Sequence, residues 1–330
     1  MAKVRFLMMG VGGMGRAHID NILNVEDAEI VALVDPSEAS IEAARAKSDR
    51  LANVPAFADY KEALQKVEAD AAVIVTPHSQ HFEQGMACLE AGLNVLMEKP
   101  FVAGSENAKK LIAFAEEKKK HLAVGYQRHT QGQYMYLRNL IQSGELGDIY
   151  FITAYQAQGW LEGCRGTWRQ NPELSCGGQL NDSGSHLLDV ILWMTGFQPQ
   201  EVSAYIDNRG TQVDIDSALT VRFEGGTICT FNVVGSANIG WWEDVSINGS
   251  KGTALYRNGS LMVSKGGRHQ PLVEVPESEL PASSTPDQNF VDLILGRVQE
   301  AAAPSSCGFR VARLTEAAWQ SAETGKAVQF

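Results

Sequence analysis

Asp182 and His186 stand four residues apart where a stretch of helical character, 183–195, begins. If the helix already begins at Asp182, the two share a face. A carboxylate so placed can orient the imidazole and stabilise its protonated form. That pair suits a base that takes the proton of a hydroxyl as hydride leaves the same carbon. The spacing serves equally for an N-capping aspartate followed by a buried, satisfied histidine, and by itself leaves both open. Asp189 could extend the pair into a metal set, but clustered His or Cys partners are lacking and no metal is expected. The second candidate is Lys99, in Glu98-Lys99-Pro100 after the strand-like run 94–97. A lysine at a strand end beside a cofactor can donate to a substrate oxygen, and desolvation can bring it into the range of a general acid or base. Pro100 keeps Lys99 extended. In other settings such a lysine is a solvated surface residue.

These groups need a scaffold, and the opening of the chain describes one. An apolar run, 3–9, passes into Gly10-Val11-Gly12-Gly13-Met14-Gly15 and then into helical sequence. Gly10 allows the tight turn, Gly12 lets the backbone approach a pyrophosphate, and Gly15 lets helix and strand pack closely. Gly13 and Met14 open the helix whose N-terminus would hold the anion. A second strand, 29–34, ends at Asp35, 20 residues beyond Gly15. A carboxylate there accepts hydrogen bonds from an adenosine ribose and repels a 2′-phosphate; with no arginine following it, NAD is expected rather than NADP. A glycine turn and a helix-capping aspartate are the plainer reading of the same residues. Thr76-Pro77-His78-Ser79-Gln80-His81 follows the strand 70–75, and with Glu98 and Lys99 it should face the nicotinamide half of the crevice.

Strand-like runs and amphipathic helices alternate through residue 124: helices at 37–50, 59–67, 81–91 and 107–120, strands at 54–57, 94–97 and 121–124. Such alternation specifies a doubly wound parallel sheet with ligands at the carboxyl ends of its strands. Beyond a boundary near Gly125 the pattern changes. A helix (131–143) and a strand (147–155) lead through a loop to the helix 183–195. Strands then follow with short turns at 202–206, 217–223, 227–234, 243–248, 253–256 and 261–263, and helices at 287–301 and 310–323 close the chain. The expected organisation is an α/β Rossmann domain over 1–124 and an α+β domain with a large, mostly antiparallel open sheet over 125–330.

The formal net charge of −11 excludes a typical nucleic-acid binder, which needs a basic face. Five dispersed cysteines fit reduced thiols in a cytoplasm. The chain reaches its first strand at once, so no secretory leader is expected, and no apolar run approaches membrane-spanning length.

Taken together, the glycine motif with Asp35, Thr76-Pro77-x-x-x-His81, Glu98-Lys99-Pro100, Tyr126-Gln127-Arg128, Gly177-Gly178-x-x-x-Asp182-x-x-x-His186-x-x-Asp189 and the closing Ser321-Ala-Glu-Thr-Gly-Lys326 resemble the glucose–fructose oxidoreductase / inositol dehydrogenase (Gfo/Idh/MocA) family over essentially the whole chain. The resemblance implies hydride transfer between a sugar, polyol or glycoside carbinol carbon and NAD(P), and a homodimer or homotetramer formed through the second-domain sheet. It implies Lys99, Asp182 and His186 as the catalytic set: His186 as base, Lys99 on the reacting oxygen, Asp182 orienting them. Gln179 and Asn181 stand where relatives often carry smaller or apolar residues, and His78 where asparagine is frequent. Substrate contacts are expected from Arg128 and from the loop 159–172, where Trp168 can stack on a sugar ring and Arg169 donate to hydroxyls or anions. Two other readings share these residues. One is a hydrolase that oxidises a ring carbon transiently, eliminates the glycosidic group and returns the hydride with no net NAD consumption. The other is a non-catalytic NAD sensor, which would have no need of the catalytic set.

Overall fold

The computed structural model describes residues 3–330. In chain order the first elements are β1 (Val4–Met9), α1 (Gly13–Leu23), β2 (Ala28–Val34), α2 (Glu38–Arg45), β3 (Ala56–Phe57), α3 (Tyr60–Lys66), β4 (Ala71–Ile74), α4 (His81–Glu90), β5 (Asn94–Met97), α5 (Ser105–Lys118) and β6 (Leu122–Val124). There follow α6 (Gly132–Gln142), β7 (Ile149–Ala157), α7 (Trp160–Gly163), α8 (Pro172–Ser175), α9 (Gly184–Thr195), β8 (Pro199–Asp207), β9 (Asp216–Phe223), β10 (Ile228–Val234), β11 (Trp242–Gly249), β12 (Gly252–Arg257), β13 (Ser260–Lys265), β14 (Val273–Glu274), α10 (Pro286–Ile294), α11 (Ser305–Thr324) and β15 (Val328–Gln329).

The chain divides into two compact units. One runs to Gln127 and takes in Ser284–Phe309; the other comprises Arg128–Ser283 and Arg310–Phe330. In the first, six parallel strands lie in the order β3-β2-β1-β4-β5-β6, which reverses between β1 and β4. Every residue of β4 is buried, as are all but Asn94 of β5 and all but Arg5 of β1, because helices cover both faces of a parallel sheet. Side-chain caps set the helix starts: Ser37 Oγ accepts from Ser40 N before α2, and Asp59 from Lys61 N before α3. The helix expected over 37–50 stops at Arg45; residues 49–51 form a separate 3₁₀ turn capped by Ser48.

The sequence assigns everything from residue 125 to a second domain, whereas the structure returns 284–309 to the first unit. The reason is apolar. Phe290, Val291 and Leu293 of α10 enter the same core as Phe6, Ile19, Ile22 and Leu33, with the Phe290 and Phe6 ring centres 6.5 Å apart. This helix also ends earlier than the expected residue 301, since Gly296 turns the backbone to φ +71°.

In the second unit nine strands lie in the order β14-β13-β12-β11-β7-β10-β9-β8-β15. Buried and open positions alternate along β9 and β10, as a sheet covered on one face requires. The exception to its antiparallel pairing is β7 with β10, parallel over seven residue pairs. Among the described residues no helix is long and apolar enough to cross a membrane.

Candidate active site

The three glycines of the first turn hold different positions. Gly10 lies at φ +84°, and a Cβ there would come within 2.6 Å of the Val75 carbonyl oxygen. A Cβ on Gly15 would lie 2.1 Å from the Gly10 carbonyl oxygen, whereas one on Gly12 or Gly13 would meet no protein atom within 4 Å. Gly10 and Gly15 therefore serve the chain's own packing. Gly12 leaves backbone accessible beside the N-terminus of α1, which carries no acidic residue in its first turn and no side-chain cap. A pyrophosphate suits that place, with the N–H groups of Gly13, Met14 and Gly15 at the positive end of the dipole. The residues fit the dinucleotide that the motif implies.

Asp35 follows β2 and lies beside the glycine turn. Its Oδ2 accepts from Val11 N at 3.0 Å and its Oδ1 from Ser37 N at 2.9 Å, so the carboxylate is tied to the glycine turn and to its own strand end. Each carboxylate oxygen has a further lone pair for a ribose hydroxyl.

After β4, Thr76 Oγ1 donates to Gln84 Oε1 at 2.6 Å, and Pro77 leads into a short turn bearing the buried His78. His81 is fully buried. Its Nε2 lies 2.9 Å from the Thr76 carbonyl oxygen, and its Nδ1 3.0 and 3.1 Å from the carbonyls of Pro100 and Phe101. Burial pulls the ring's pKa below its ordinary value, against the raising effect of these carbonyls. Expected to touch the cofactor, His81 instead ties the loop after β4 to the loop after β5. Glu98 is buried at the end of β5, its Oε2 accepting the Lys99 N–H at 3.0 Å. Lys99 itself is half-buried and precedes a cis Pro100.

In the second unit α9 starts at Gly184, so Asp182 belongs to the turn before the helix rather than to its first turn, and Ser183 occupies the N-cap. Asp182 and His186 are both buried. Asp182 Oδ2 accepts from Trp160 Nε1 at 2.9 Å and from Arg169 Nε at 3.0 Å. The Trp- and Arg-rich loop thus folds back onto Asp182, and Arg169 lies against the Trp168 ring with its guanidinium carbon 4.5 Å from the ring centre. Asp189 is occupied elsewhere: its Oδ2 lies 2.7 Å from His129 Nε2.

Arg128, an expected substrate contact, is buried. Its guanidinium pairs with both oxygens of Glu243, whose Oε1 also accepts from Tyr134 Oη. Burial disfavours the charge, but Glu243 more than compensates and holds the Arg128 pKa above its ordinary value. Glu243 has no signature in sequence beyond being one of two adjacent acids in a strand.

Sequence reasoning also missed Asp214. This buried carboxylate accepts from Gly178 N at 2.9 Å, Leu180 N at 2.6 Å and Trp319 Nε1 at 3.0 Å, fixing the turn that carries Asp182. Burial raises its pKa against those three donors. Gly178 is the available clue, because a Cβ there would fall 1.9 Å from the Asp214 carbonyl oxygen. A cavity of about 520 Å³ opens beside Asp214, lined by Cys176, Gly177, Asn208 and Trp319, and none of the expected site residues lines it.

Comparison with known proteins identifies the two domain types. The family model described as "Oxidoreductase family, NAD-binding Rossmann fold" matches residues 4–126, and the "GFO/IDH/MocA C-terminal domain" matches 134–255. The chain is 28% identical to the Rhizobium meliloti rhizopine catabolism protein MocA over 60% of its own length and 59% of that protein's. It is 26% identical to the Escherichia coli D-glucoside 3-dehydrogenase over 100% of the chain and 98% of the relative. An inositol 2-dehydrogenase of Leifsonia xyli is 30% identical over 71% of the chain and 73% of its own length. Among solved structures, the Bordetella pertussis WlbA dehydrogenase, in complex with NADH and UDP-GlcNAcA, superposes with a TM-score of 0.86 at 23% identity, covering 100% of this chain and 98% of that one; it shares the fold.

Proposed function

Because the chain belongs to the Gfo/Idh/MocA family of NAD-binding oxidoreductases, we propose that it is an NAD-dependent dehydrogenase acting on a carbinol carbon of a sugar, polyol or glycoside. The observation that carries the reading is the end-to-end similarity to a D-glucoside 3-dehydrogenase, in a chain whose sequence carries Lys99, Asp182 and His186.

Bound NAD supplies the hydride acceptor. The N–H groups of Gly13, Met14 and Gly15 hold the pyrophosphate, and Asp35 accepts from the adenosine ribose and disfavours a 2′-phosphate. Thr76, Pro77 and His78 line the nicotinamide ribose; His81 and Glu98 hold the two strand-end loops from within. Lys99 donates to the substrate oxygen, and His186 acts as the base that takes the hydroxyl proton. Asp182 orients the substrate-side groups, with Arg169 and Trp168 beside it to meet sugar hydroxyls and ring faces. Arg128 acts through the ion pair that shapes its surroundings. Exposed Phe151 and Tyr205 lie on the uncovered face of the nine-stranded sheet, which suits the contact of a homodimer or homotetramer. Among the described residues no two cysteines form a disulfide, in keeping with a cytoplasmic enzyme.

The test is a panel of sugars, polyols and glycosides incubated with NAD, with NADH absorbance and products followed together. Stoichiometric NADH is expected; bond cleavage that requires NAD but accumulates no NADH contradicts the proposal. Lys99→Ala should retain NADH binding and lose turnover, and surviving turnover would remove Lys99 from the catalytic set.

A further inference from the structure

Inside the first unit, ionisable side chains meet where apolar ones would pack. His18 of α1 is 4% exposed. Its Nδ1 lies 2.7 Å from Asp287 Oδ1 on α10, and its Nε2 lies 3.2 Å from Glu98 Oε1 at the end of β5. Asn21, one turn along α1, donates to the other Asp287 oxygen at 2.8 Å. Asp287 is fully buried and Glu98 nearly so.

A ring between two carboxylates satisfies both only when both nitrogens donate, that is, as imidazolium. Burial alone would favour the neutral ring, but Asp287 and then Glu98 outweigh it, and the pKa is pushed up to about 10. Three buried charges are a poor means of stabilising a core, since apolar residues of the same volume do as well or better. What such a network supplies is orientation. Here the oriented group is Glu98. Its Oε2 takes the Lys99 N–H at 3.0 Å, and Gly125 makes room for it, because a Cβ at 125 would come within 2.6 Å of Oε1.

We propose that His18, held by Asp287, is a positioning residue: it fixes the Glu98 carboxylate and through it the backbone of Lys99, so the placement of the lysine depends on a helix that returns from the far end of the chain. The proposal rests on the reading of Lys99 as catalytic.

The experiment compares His18→Gln and Asp287→Asn with Phe290→Leu, which loosens α10 without touching the charges. In both relay variants kcat should fall at least about tenfold, while the sugar KM and the NADH Kd stay within about threefold. The double variant should be no slower than the worse single one, since the two residues act as one unit. Phe290→Leu, assayed well below its Tm, should keep its kcat. A second readout needs no substrate. After reductive ¹³C-methylation, the Lys99 resonance, assigned by its loss in Lys99→Ala, should move in the two relay variants and not in Phe290→Leu. Full kcat or an unmoved Lys99 resonance in both relay variants overturns the proposal. A wild type that turns over no carbohydrate, but whose Lys99 resonance moves in the variants, would sink the dehydrogenase reading and leave the relay standing.

Discussion

Replacing Gly12 or Gly15 by alanine adds the same methyl group a few ångströms apart, with opposite expected consequences. At Gly15 the new Cβ would fall 2.1 Å from the Gly10 carbonyl oxygen, more than 1 Å inside ordinary contact, and both partners are backbone. The helix must shift on its strand, at a cost of about 1–3 kcal/mol for overpacking. For units of this size that lowers Tm by roughly 2–4 °C per kcal/mol. At Gly12 the Cβ meets no protein atom within 4 Å, and φ is −66°, which alanine adopts freely. Lower entropy of the unfolded chain contributes about 0.4–1 kcal/mol in favour of alanine, while alanine is a poorer N-cap by a similar amount. Folding stability should therefore stay within about 1 kcal/mol. The methyl group would instead occupy the approach of the pyrophosphate, and NADH affinity should fall at least about tenfold, or 1.4 kcal/mol. Thermal unfolding and NADH fluorescence titration of both variants separate the two effects. Native NADH affinity in Gly12→Ala would refute the assignment of this turn to the dinucleotide; an unchanged Tm in Gly15→Ala would refute the packing argument.

Other outcomes follow from the same geometry. Asp35→Ser removes the charge that repels a 2′-phosphate, so the ratio of kcat/KM for NAD over NADP should drop at least about tenfold; an unchanged ratio would take the ribose away from Asp35. Glu243→Gln leaves Arg128 buried without its counter-ion and should cost about 3–5 kcal/mol in denaturant unfolding; a loss below about 1 kcal/mol would show the pair to be dispensable. Urea midpoints should also depend on pH with two signs. The His18 pKa is raised from 6.5 to about 10, so its contribution is whole below pH 6.5 and is lost as pH climbs to about 10. The His81 pKa is lowered, so its contribution is present above 6.5 and is lost as pH falls through the lowered value. His18→Gln should flatten the alkaline decline, and an identical decline in both proteins would contradict a charged ring.

Local order determined what the sequence revealed alone. Uninterrupted apolar runs such as Ala71–Ile74 have to be buried on both faces, and this dictates a parallel sheet under helices. The three glycines and Asp35 are legible because their spacing is a property of one strand, one turn and one helix. The contiguous boundary at 125 misses α10, whose Phe290 packs against Phe6, as no local pattern says which core an amphipathic helix will join. Tertiary structure alone decided the polar network. His18 finds Asp287 across 269 residues and Arg128 finds Glu243 across 115. Burial, which assigns His81 to structure and closes Arg169 onto Asp182, likewise depends on folding. Apolar residues announce their burial through periodicity, because every turn of a helix or strand must repeat it. A buried charge needs a single partner, and only the folded chain brings that partner near.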